Sequence, residues 1–575
     1  MKRMKTKAML KKNTEITKQF ATLGNRQIHY LRAGSGPPVL LLHKSPESSE
    51  EFRPLMLQWA NDFTMIAPDT PGYGLSDPID EKEPDLAPFA DVLVEFLDCL
   101  GIEAAGVYGT HTGAMIAAEF ASLYPDRVTV TIINGYLAVT EEERKEILDN
   151  YFADFTPKPD GSHMVKIWTR IRDQFLFFPW AVKTDLARKR MSANFDLPDP
   201  EYIQRHVLDL LRTGIHEPDG YGAAFRCDGP AMLSKIKGEC YVMAHRQDLL
   251  FHHLDRLPNN LPSNIQVERF DTPEELNIRA RKLLKKTRKD SSNINVTSTG
   301  IITHRSWQTY VKTKSGQAFV RRSNIGWGRP VVLIHDFGSS SLAWVAFCKV
   351  LIGKRPFIAF DLPGHGETRD LTGDFIKFED CAIAISEGME DLGIDEADIF
   401  TYGGGGLVAL KLVDIARSKV KSLTCIDFWL FNAKEKTELK DTLAPTLLPS
   451  WYGEHMVRAW FQIRDSELFW PWYKPVVKNS LLRSPDLDPI KLHQRTVDLL
   501  KSQPWHSAIV NEALSLNAEA SLRNIDMPIT FSPGDSGPHV KRCQRAAALA
   551  PGSRLVTIPN DSSRHAATLL AMLKV

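Results

Sequence analysis

The segment PPVLLLHKSPESSEEF (37–52) returns later in the chain as RPVVLIHDFGSSSLAW (329–344), displaced by 292 residues. Two further blocks return at the same displacement: MIAPDTPGYGLSDP (65–78) as FIAFDLPGHGETRD (357–370), and GSHMVKIWTRIRDQFLFFPW (161–180) as GEHMVRAWFQIRDSELFWPW (453–472). Agreement over several separated blocks at one spacing indicates an internal repeat. The 575-residue chain is therefore predicted to be a tandem duplication of one folding unit.

Each copy alternates between strand and helix patterns. The runs VLLLH (39–43) and VVLIH (331–335) are apolar without alternation, which is typical of parallel strands buried on both faces. An amphipathic helix closed by glycine follows in each copy, and then a short strand runs into a glycine-containing turn and another helix. This order predicts an α/β fold in which each copy is a mostly parallel, doubly wound sheet.

Long segments rich in Trp and Phe, with a mostly helical pattern, interrupt the alternation late in each copy and are predicted to form helical caps. A basic run followed by Ser, Asn and Thr predicts a linker between the copies. The predicted boundaries are domain 1 over 20–285 with a cap over about 137–235, a linker over 286–305, and domain 2 over 306–575 with a cap over about 430–520.

The composition excludes several classes of partner. The formal net charge is +1, so no overall field favours nucleic acid or an anionic membrane. No apolar run is long enough to span a bilayer, and the basic N-terminus lacks the apolar core of an export signal. Seven scattered cysteines without C-x-x-C spacing indicate reduced thiols, hence a cytoplasmic protein. The expected partner is a small molecule, and no oligomeric state is implied.

No cofactor is expected. The run Gly404–Gly406 is followed by no Lys-Ser or Lys-Thr of a phosphate loop and lacks a full G-x-G-x-x-G signature. The group His245, Asp248, His252 and His253 matches no tight metal-ligand spacing, so no metal site is predicted.

Three short motifs carry a resemblance to a known family. The sequences HDFGS (335–339) and DLPGHG (361–366), with a strand, turn and helix centred on residues 402–406, resemble the α/β-hydrolase superfamily, and the likeness runs twice over nearly the whole chain. The capped arrangement is similar to the branch of epoxide hydrolases, haloalkane dehalogenases, carbon–carbon bond hydrolases and many esterases. The resemblance implies a nucleophile at the centre of G-x-S-x-G, with backbone N–H groups for the oxyanion and an acid and a histidine later in the chain.

The first copy departs from that pattern at the nucleophile. The turn reads Gly109-Thr110-His111-Thr112-Gly113, so both outer glycines are present and His111 stands at the centre. Our hypothesis is that His111 is a general base oriented by Asp248, with oxyanion donors from the backbone near Lys44 and from the Thr112 N–H. The alternative is that His111 replaces serine in an inactive site.

The second copy departs differently. Gly405 is assigned to the nucleophile position, where it can neither attack nor transfer a proton. An acid candidate, Asp535, and a late histidine, His565, are present, and Asp427 after the preceding strand is a second acid candidate or a structural cap. This copy is therefore expected to be mainly a catalytic remnant.

In the cap of the first copy, Arg172 and Trp168 are candidate substrate-binding residues, with a structural tether and cap core as their alternatives. The favoured function is an enzyme that acts on a small apolar ester, lactone or carbonyl compound through His111. The alternatives are a non-hydrolytic lyase, isomerase or cyclase that uses the same base, and a pseudohydrolase that only binds a ligand or partner.

Overall fold

The computed structural model describes residues 15–183, 197–286, 302, 304–369, 376–559 and 562–573. The basic N-terminus and most of the predicted linker lie outside these residues. The chain divides into two compact units, one comprising Met1–Phe155 with Thr169–Ile301 and the other Thr156–Trp168 with Ile302–Val575.

The first unit contains an eight-stranded sheet with the order β1-β2-β4-β3-β5-β6-β7-β8. The strands are β1 (Thr17–Leu23), β2 (Arg26–Ala33), β3 (Pro38–Leu42), β4 (Thr64–Pro68), β5 (Ala105–Thr110), β6 (Val128–Asn134), β7 (Cys240–His245) and β8 (Ile265–Phe270). The strand β2 pairs antiparallel with β1 and β4, and the pairs from β4 through β3 to β8 are parallel.

The second unit repeats this order in its own sheet, β9-β10-β12-β11-β13-β14-β15-β16. The strands are β9 (Trp307–Thr313), β10 (Gly316–Ser323), β11 (Val331–Ile334), β12 (Phe357–Phe360), β13 (Ala397–Tyr402), β14 (Val420–Ile426), β15 (Ile529–Ser532) and β16 (Arg554–Leu555). The prediction of two mostly parallel, doubly wound sheets in tandem is confirmed.

Helices cover both faces of the first sheet. Successive side chains of its central strands point to opposite faces, and because they are apolar on both faces, both must be buried. Leu40 and Leu42 of β3 join one core with the helices Leu86–Cys99 and Thr112–Leu123, whereas Val39 and Leu41 join another with the helices Arg53–Trp59 and Pro273–Lys286. Burying a leucine side chain contributes about 1.5–3 kcal/mol, so an unbroken apolar strand is stable only between two such layers.

Between β6 and β7 the described chain is mainly helical. The helices there are Glu141–Asn150, Ser162–Gln174, Pro200–Thr213, Glu217–Arg226 and Gly229–Leu233. The second unit has its helices at Val345–Leu351, Phe378–Asp391, Gly405–Ala416, Ala433–Leu439, Glu454–Ser466, Pro489–Lys501, His506–Ser515, Ala518–Arg523, His539–Leu549 and Ser562–Met572.

In the part of the chain that the structure describes, no helix has both the length and the apolar character required to cross a membrane. All seven cysteines are free, and six of them are buried.

Candidate active site

The turn between β5 and the helix Thr112–Leu123 holds His111 in a backbone conformation that side chains rarely adopt. Its φ is 45° and its ψ is −107°, which costs about 1–3 kcal/mol. Close packing enforces the turn: a Cβ at Gly113 would lie 2.0 Å from the Leu42 carbonyl oxygen, and one at Gly109 would lie 2.3 Å from the Gly113 carbonyl oxygen. The two outer glycines are therefore required by the close approach of the backbone.

The imidazole of His111 reaches the loop after β7. Its Nε2–H donates to Asp248 Oδ2 at 2.9 Å, and the side chains of His111 and Asp248 are 26% and 8% exposed. Because a carboxylate can only accept, this bond leaves Nδ1 as the nitrogen able to take a proton. The other carboxylate oxygen of Asp248 accepts the Leu250 N–H at 2.7 Å, which fixes its orientation.

The charge of the Asp248 carboxyl is stabilised by these partners. Burial by itself would raise its pKa, but the charge and hydrogen bond of His111, with the Leu250 N–H, outweigh burial and hold the pKa well below its usual range. Gly135 brings the backbone close to this pair, since a Cβ there would lie 2.3 Å from His111 Cδ2.

A cavity of about 100 Å³ is lined by His111 and Thr112 on the turn side. Six aromatic side chains form much of its wall: Tyr151, Phe175, Phe178, Tyr202, Tyr221 and Phe225. Lys44, Glu47 and His206 line it as well. The cavity thus combines an apolar wall with several ionisable groups, a combination common in ligand sites.

Three ionisable side chains of the cavity wall, Lys44, Glu47 and His206, form a network with Glu51. Lys44 Nζ lies 2.9 Å from Glu47 Oε1 and 2.8 Å from Glu51 Oε1, and Glu47 Oε1 also accepts His206 Nε2–H at 2.8 Å. Burial would lower the pKa of Lys44 and raise that of Glu47, but the opposite charges reverse both effects. His206 Nδ1 bonds the Tyr202 carbonyl at 2.9 Å, so both ring nitrogens face acceptors. Burial would lower the pKa of this imidazole, but Glu47 outweighs burial and raises it.

The oxyanion donors differ in part from the prediction. The Lys44 N–H donates to Glu51 Oε2 at 2.9 Å, so it is already engaged by a side chain. The next N–H, that of Ser45, lies 3.4 Å from Thr112 Oγ1 and so reaches the turn. Thr112 is the first residue of its helix, where an N–H has no intrahelical acceptor.

The predicted cap residues do not line this cavity. Arg172 is half-buried and lies near the cavity-lining residues only in sequence. Trp168 belongs to the second unit, where its Nε1–H donates to the Trp451 carbonyl at 3.3 Å. The buried cation that supports the wall is Arg170, which pairs with Glu217 at 3.1 Å and lies over the ring of Tyr151. Arg170 carries no signal in the repeat, because the residue 292 positions later is Gln462.

The second copy has its turn at Gly403, not at Gly405 as predicted. Leu42 pairs with Gly109 and Ile334 with Thr401, so Gly403 stands two residues after Thr401 as His111 stands two after Gly109. Gly403 has a φ of 51°, close to that of His111. Gly405 instead matches Gly113, because its Cβ would meet the His335 carbonyl oxygen at 2.5 Å.

The remaining predicted residues of the second copy are engaged separately. His565 Nε2 pairs with the Tyr402 hydroxyl at 2.8 Å, and burial lowers its pKa. Asp427 accepts the Gly534 N–H at 3.1 Å, whereas Asp535 is exposed. Among the described residues, the side-chain partner of His565 Nε2 is therefore a hydroxyl group and not a carboxylate.

Comparison with known proteins identifies the family. The family model described as the alpha/beta hydrolase fold matches residues 37–170, and the model of the alpha/beta hydrolase family matches residues 331–571. The chain belongs to the α/β-hydrolase superfamily. Both copies carry the fold, so the predicted tandem duplication of α/β-hydrolase domains is confirmed.

Relatives of known name match only part of this chain. A soluble epoxide hydrolase from Corynebacterium sp. (strain C12) is 37% identical over 113 residues, which are 19% of this chain and 38% of that protein. Haloalkane dehalogenase 2 from Mycobacterium bovis is 33% identical over 109 residues, which are 19% of this chain and 38% of that protein. The match thus spans well under half the length of these relatives. Among solved structures, epoxide hydrolase A from Mycobacterium thermoresistibile is 17% identical, covers 48% of this chain and 100% of its own, and has a TM-score of 0.37.

Proposed function

We propose that the first α/β-hydrolase copy is a general-base catalyst that acts on a small ester, lactone or carbonyl compound. The observation that carries the proposal is the 2.9 Å bond from His111 Nε2 to Asp248 at the wall of an aromatic cavity. Asp248 fixes the ring tautomer, so Nδ1 takes a proton from water or from the substrate, and the carboxylate stabilises the imidazolium that forms. The Thr112 and Ser45 N–H groups are the donors for a developing oxyanion.

No acyl-enzyme is part of this mechanism. The hydroxyl of Thr110 lies 3.2 Å from both oxygens of Glu51, and that of Thr112 lies near the Ser45 N–H, so neither threonine hydroxyl is paired with the imidazole. His111 therefore activates water directly in the hydrolytic form of the reaction.

A second candidate is proton abstraction from carbon, as in an isomerase or lyase. The observation that favours it is the Lys44 ammonium on the wall of the cavity that also holds His111. His111 would remove a proton next to a carbonyl group, and the ammonium would donate a hydrogen bond to the enolate oxygen. In the third case, a pseudohydrolase, the same cavity binds a ligand without converting it.

The experiment compares wild type with His111→Ala and Asp248→Asn on a chromogenic acetate ester, a small lactone and a 1,3-dicarbonyl compound. General acid–base catalysis contributes about 10²–10⁴-fold, so both variants should lose turnover by that factor and remain folded. His252→Ala is the matched control, because this histidine is 78% exposed and pairs only with Asp255 among the ion pairs described. Unchanged turnover in His111→Ala would remove the imidazole from the mechanism.

Isotopes separate the candidates. In H₂¹⁸O, hydrolysis places one ¹⁸O atom in the product acid, whereas in D₂O proton abstraction places deuterium on carbon. A serine-directed fluorophosphonate should label neither the wild type nor the variants, and efficient labelling would show that the nucleophile has been missed. Saturable binding without either isotope signature favours the pseudohydrolase.

A further inference from the structure

A carboxyl group occupies the turn of the second copy. Asp336 follows β11 and His335, and its Oδ1 accepts two backbone hydrogen bonds: from the Gly404 N–H at 2.7 Å and from the Phe337 N–H at 2.9 Å. Gly404 is the residue immediately after the turn glycine Gly403. Two N–H groups from separate segments therefore converge on one carboxylate oxygen.

These donors match the oxyanion donors of the first copy. Phe337 and Gly404 stand 292 residues after Ser45 and Thr112, the displacement that relates the two copies. The strand registers agree with this correspondence, because the central strands pair identically in both sheets. The Asp336 oxygen thus lies where an oxygen of a substrate would be bound at a hydrolase turn.

The same carboxyl also fills the space of the missing side chain. A Cβ added at Gly403 would lie 2.4 Å from Cγ and 2.4 Å from Oδ2 of Asp336. No real Cβ contact is that short, so a side chain at Gly403 and the carboxyl of Asp336 exclude each other. The first copy has different residues at the two equivalent positions: His111 at the turn and Lys44 at the position of Asp336.

We propose that the N–H groups of Phe337 and Gly404 form a carboxylate-binding site and that Asp336 is its built-in ligand, which keeps substrates out of the second copy. The proposal concerns the second copy alone and is independent of the role of His111. The site accepts small carboxylates such as formate and acetate once the Asp336 side chain is removed.

The first test measures acetate binding to the full chain by isothermal titration calorimetry. Asp336→Ala vacates the two N–H groups and should bind one acetate more than wild type, with a matching rise of the thermal midpoint as acetate is added. Asp336→Asn is the matched control, because its amide oxygen still fills the site and should bind none.

Two results would overturn the proposal. One is a folded Asp336→Ala protein that binds no more acetate than wild type. The other is an Asp336→Asn protein that gains as much acetate binding as Asp336→Ala, since a side chain that fills the site would then not be what blocks it.

A second test needs no ligand and serves if acetate cannot be studied. Gly403→Ala should lower the thermal midpoint of wild type more than that of Asp336→Ala, because the clash exists only while the carboxyl is present. The backbone strain at a φ of 51° is common to both backgrounds and cancels in the comparison. Equal shifts in the two backgrounds would show that Asp336 does not fill the space above Gly403.

Discussion

Replacing Asp336 with Asn should change how stability depends on pH. Burial raises the pKa of this carboxyl to about 7, against the lowering effect of the Gly404 and Phe337 N–H groups; the charge of Asp427 raises it further and that of Arg495 lowers it. The folded protein therefore keeps a proton on Asp336 at pH values where the unfolded chain has lost it.

The sign and size follow from this pKa difference. The ordinary pKa of an aspartate is 3.8, so between about pH 4 and about pH 7 the folded state binds more protons and its stability falls as pH rises. One pKa unit corresponds to about 1.4 kcal/mol, which sets a ceiling of about 4 kcal/mol for the loss. The partial exposure of the side chain reduces that ceiling. Asp336→Asn has no titratable group at this position, so its stability should not show this contribution to the decrease with pH.

Urea unfolding at a series of pH values measures the effect as the difference between Asp336→Asn and wild type. The difference should move in favour of the variant as pH rises from about 4 to about 7 and then level off. A direct check is NMR of protein labelled with ¹³C at aspartate carboxyl groups: the resonance lost in the variant should titrate near neutral pH. A difference in unfolding free energy that is independent of pH, with that resonance titrating near 4, would refute the reasoning.

Three further predictions concern the first copy. Gly135→Ala should lower turnover about 10²-fold with the fold retained, because its Cβ would lie 2.3 Å from the imidazole at the turn and displace the ring; steady-state kinetics measures this. Arg170→Met should cost about 3–5 kcal/mol in urea unfolding, because it leaves Glu217 buried without its cation. His206→Gln should cost most stability below about pH 6.5 and less as pH rises, because Glu47 raises the pKa of His206 against the effect of burial. The stabilisation from the protonated imidazole is lost as pH rises through the pKa of the folded state. Urea unfolding at several pH values tests this sign.

The fold was predictable because the physical signals for it are local. An unbroken apolar run such as VLLLH requires burial on both faces, and the structure places Pro38–Leu42 at the centre of the sheet with every residue buried. The repeat carried the same inference to Val331–Ile334, which is likewise fully buried. Short strands and glycine turns then fixed the order of elements, since parallel strands need helical crossovers between them.

The site was predictable only in part, because it depends on contacts between distant segments. His111 and Asp248 were found through the family pattern of turn and late acid, and the structure brings them to 2.9 Å, although their chemical roles remain predictions. Glu47, Glu51 and His206 were missed because no spacing links a loop after β3 to a helix about 160 residues later. Comparison of the two copies did contain a signal for Glu51, because the equivalent position 292 residues later is occupied by Ala343.

The assignment of Gly405 to the turn went wrong for a related reason. A run of four glycines offers several possible centres, and the motif alone does not choose among them. The displacement of 292 residues selects Gly403, and the positive φ and strand register agree with it.

The two copies satisfy one geometric requirement with opposite chemistry. A turn of this kind presents N–H groups that attract negative charge, and the space above them must hold something polar. In the first copy the loop residue is Lys44, whose charge is balanced by Glu47 and Glu51, and the turn holds an imidazole beside an open cavity. In the second copy the loop residue is Asp336, its carboxyl oxygen satisfies the N–H groups directly, and the turn residue must be glycine to leave it room. The loss of a side chain at Gly403 and the gain of a carboxyl at Asp336 are thus one structural change, and either of them alone would leave the turn of the second copy with a clash or with unsatisfied donors.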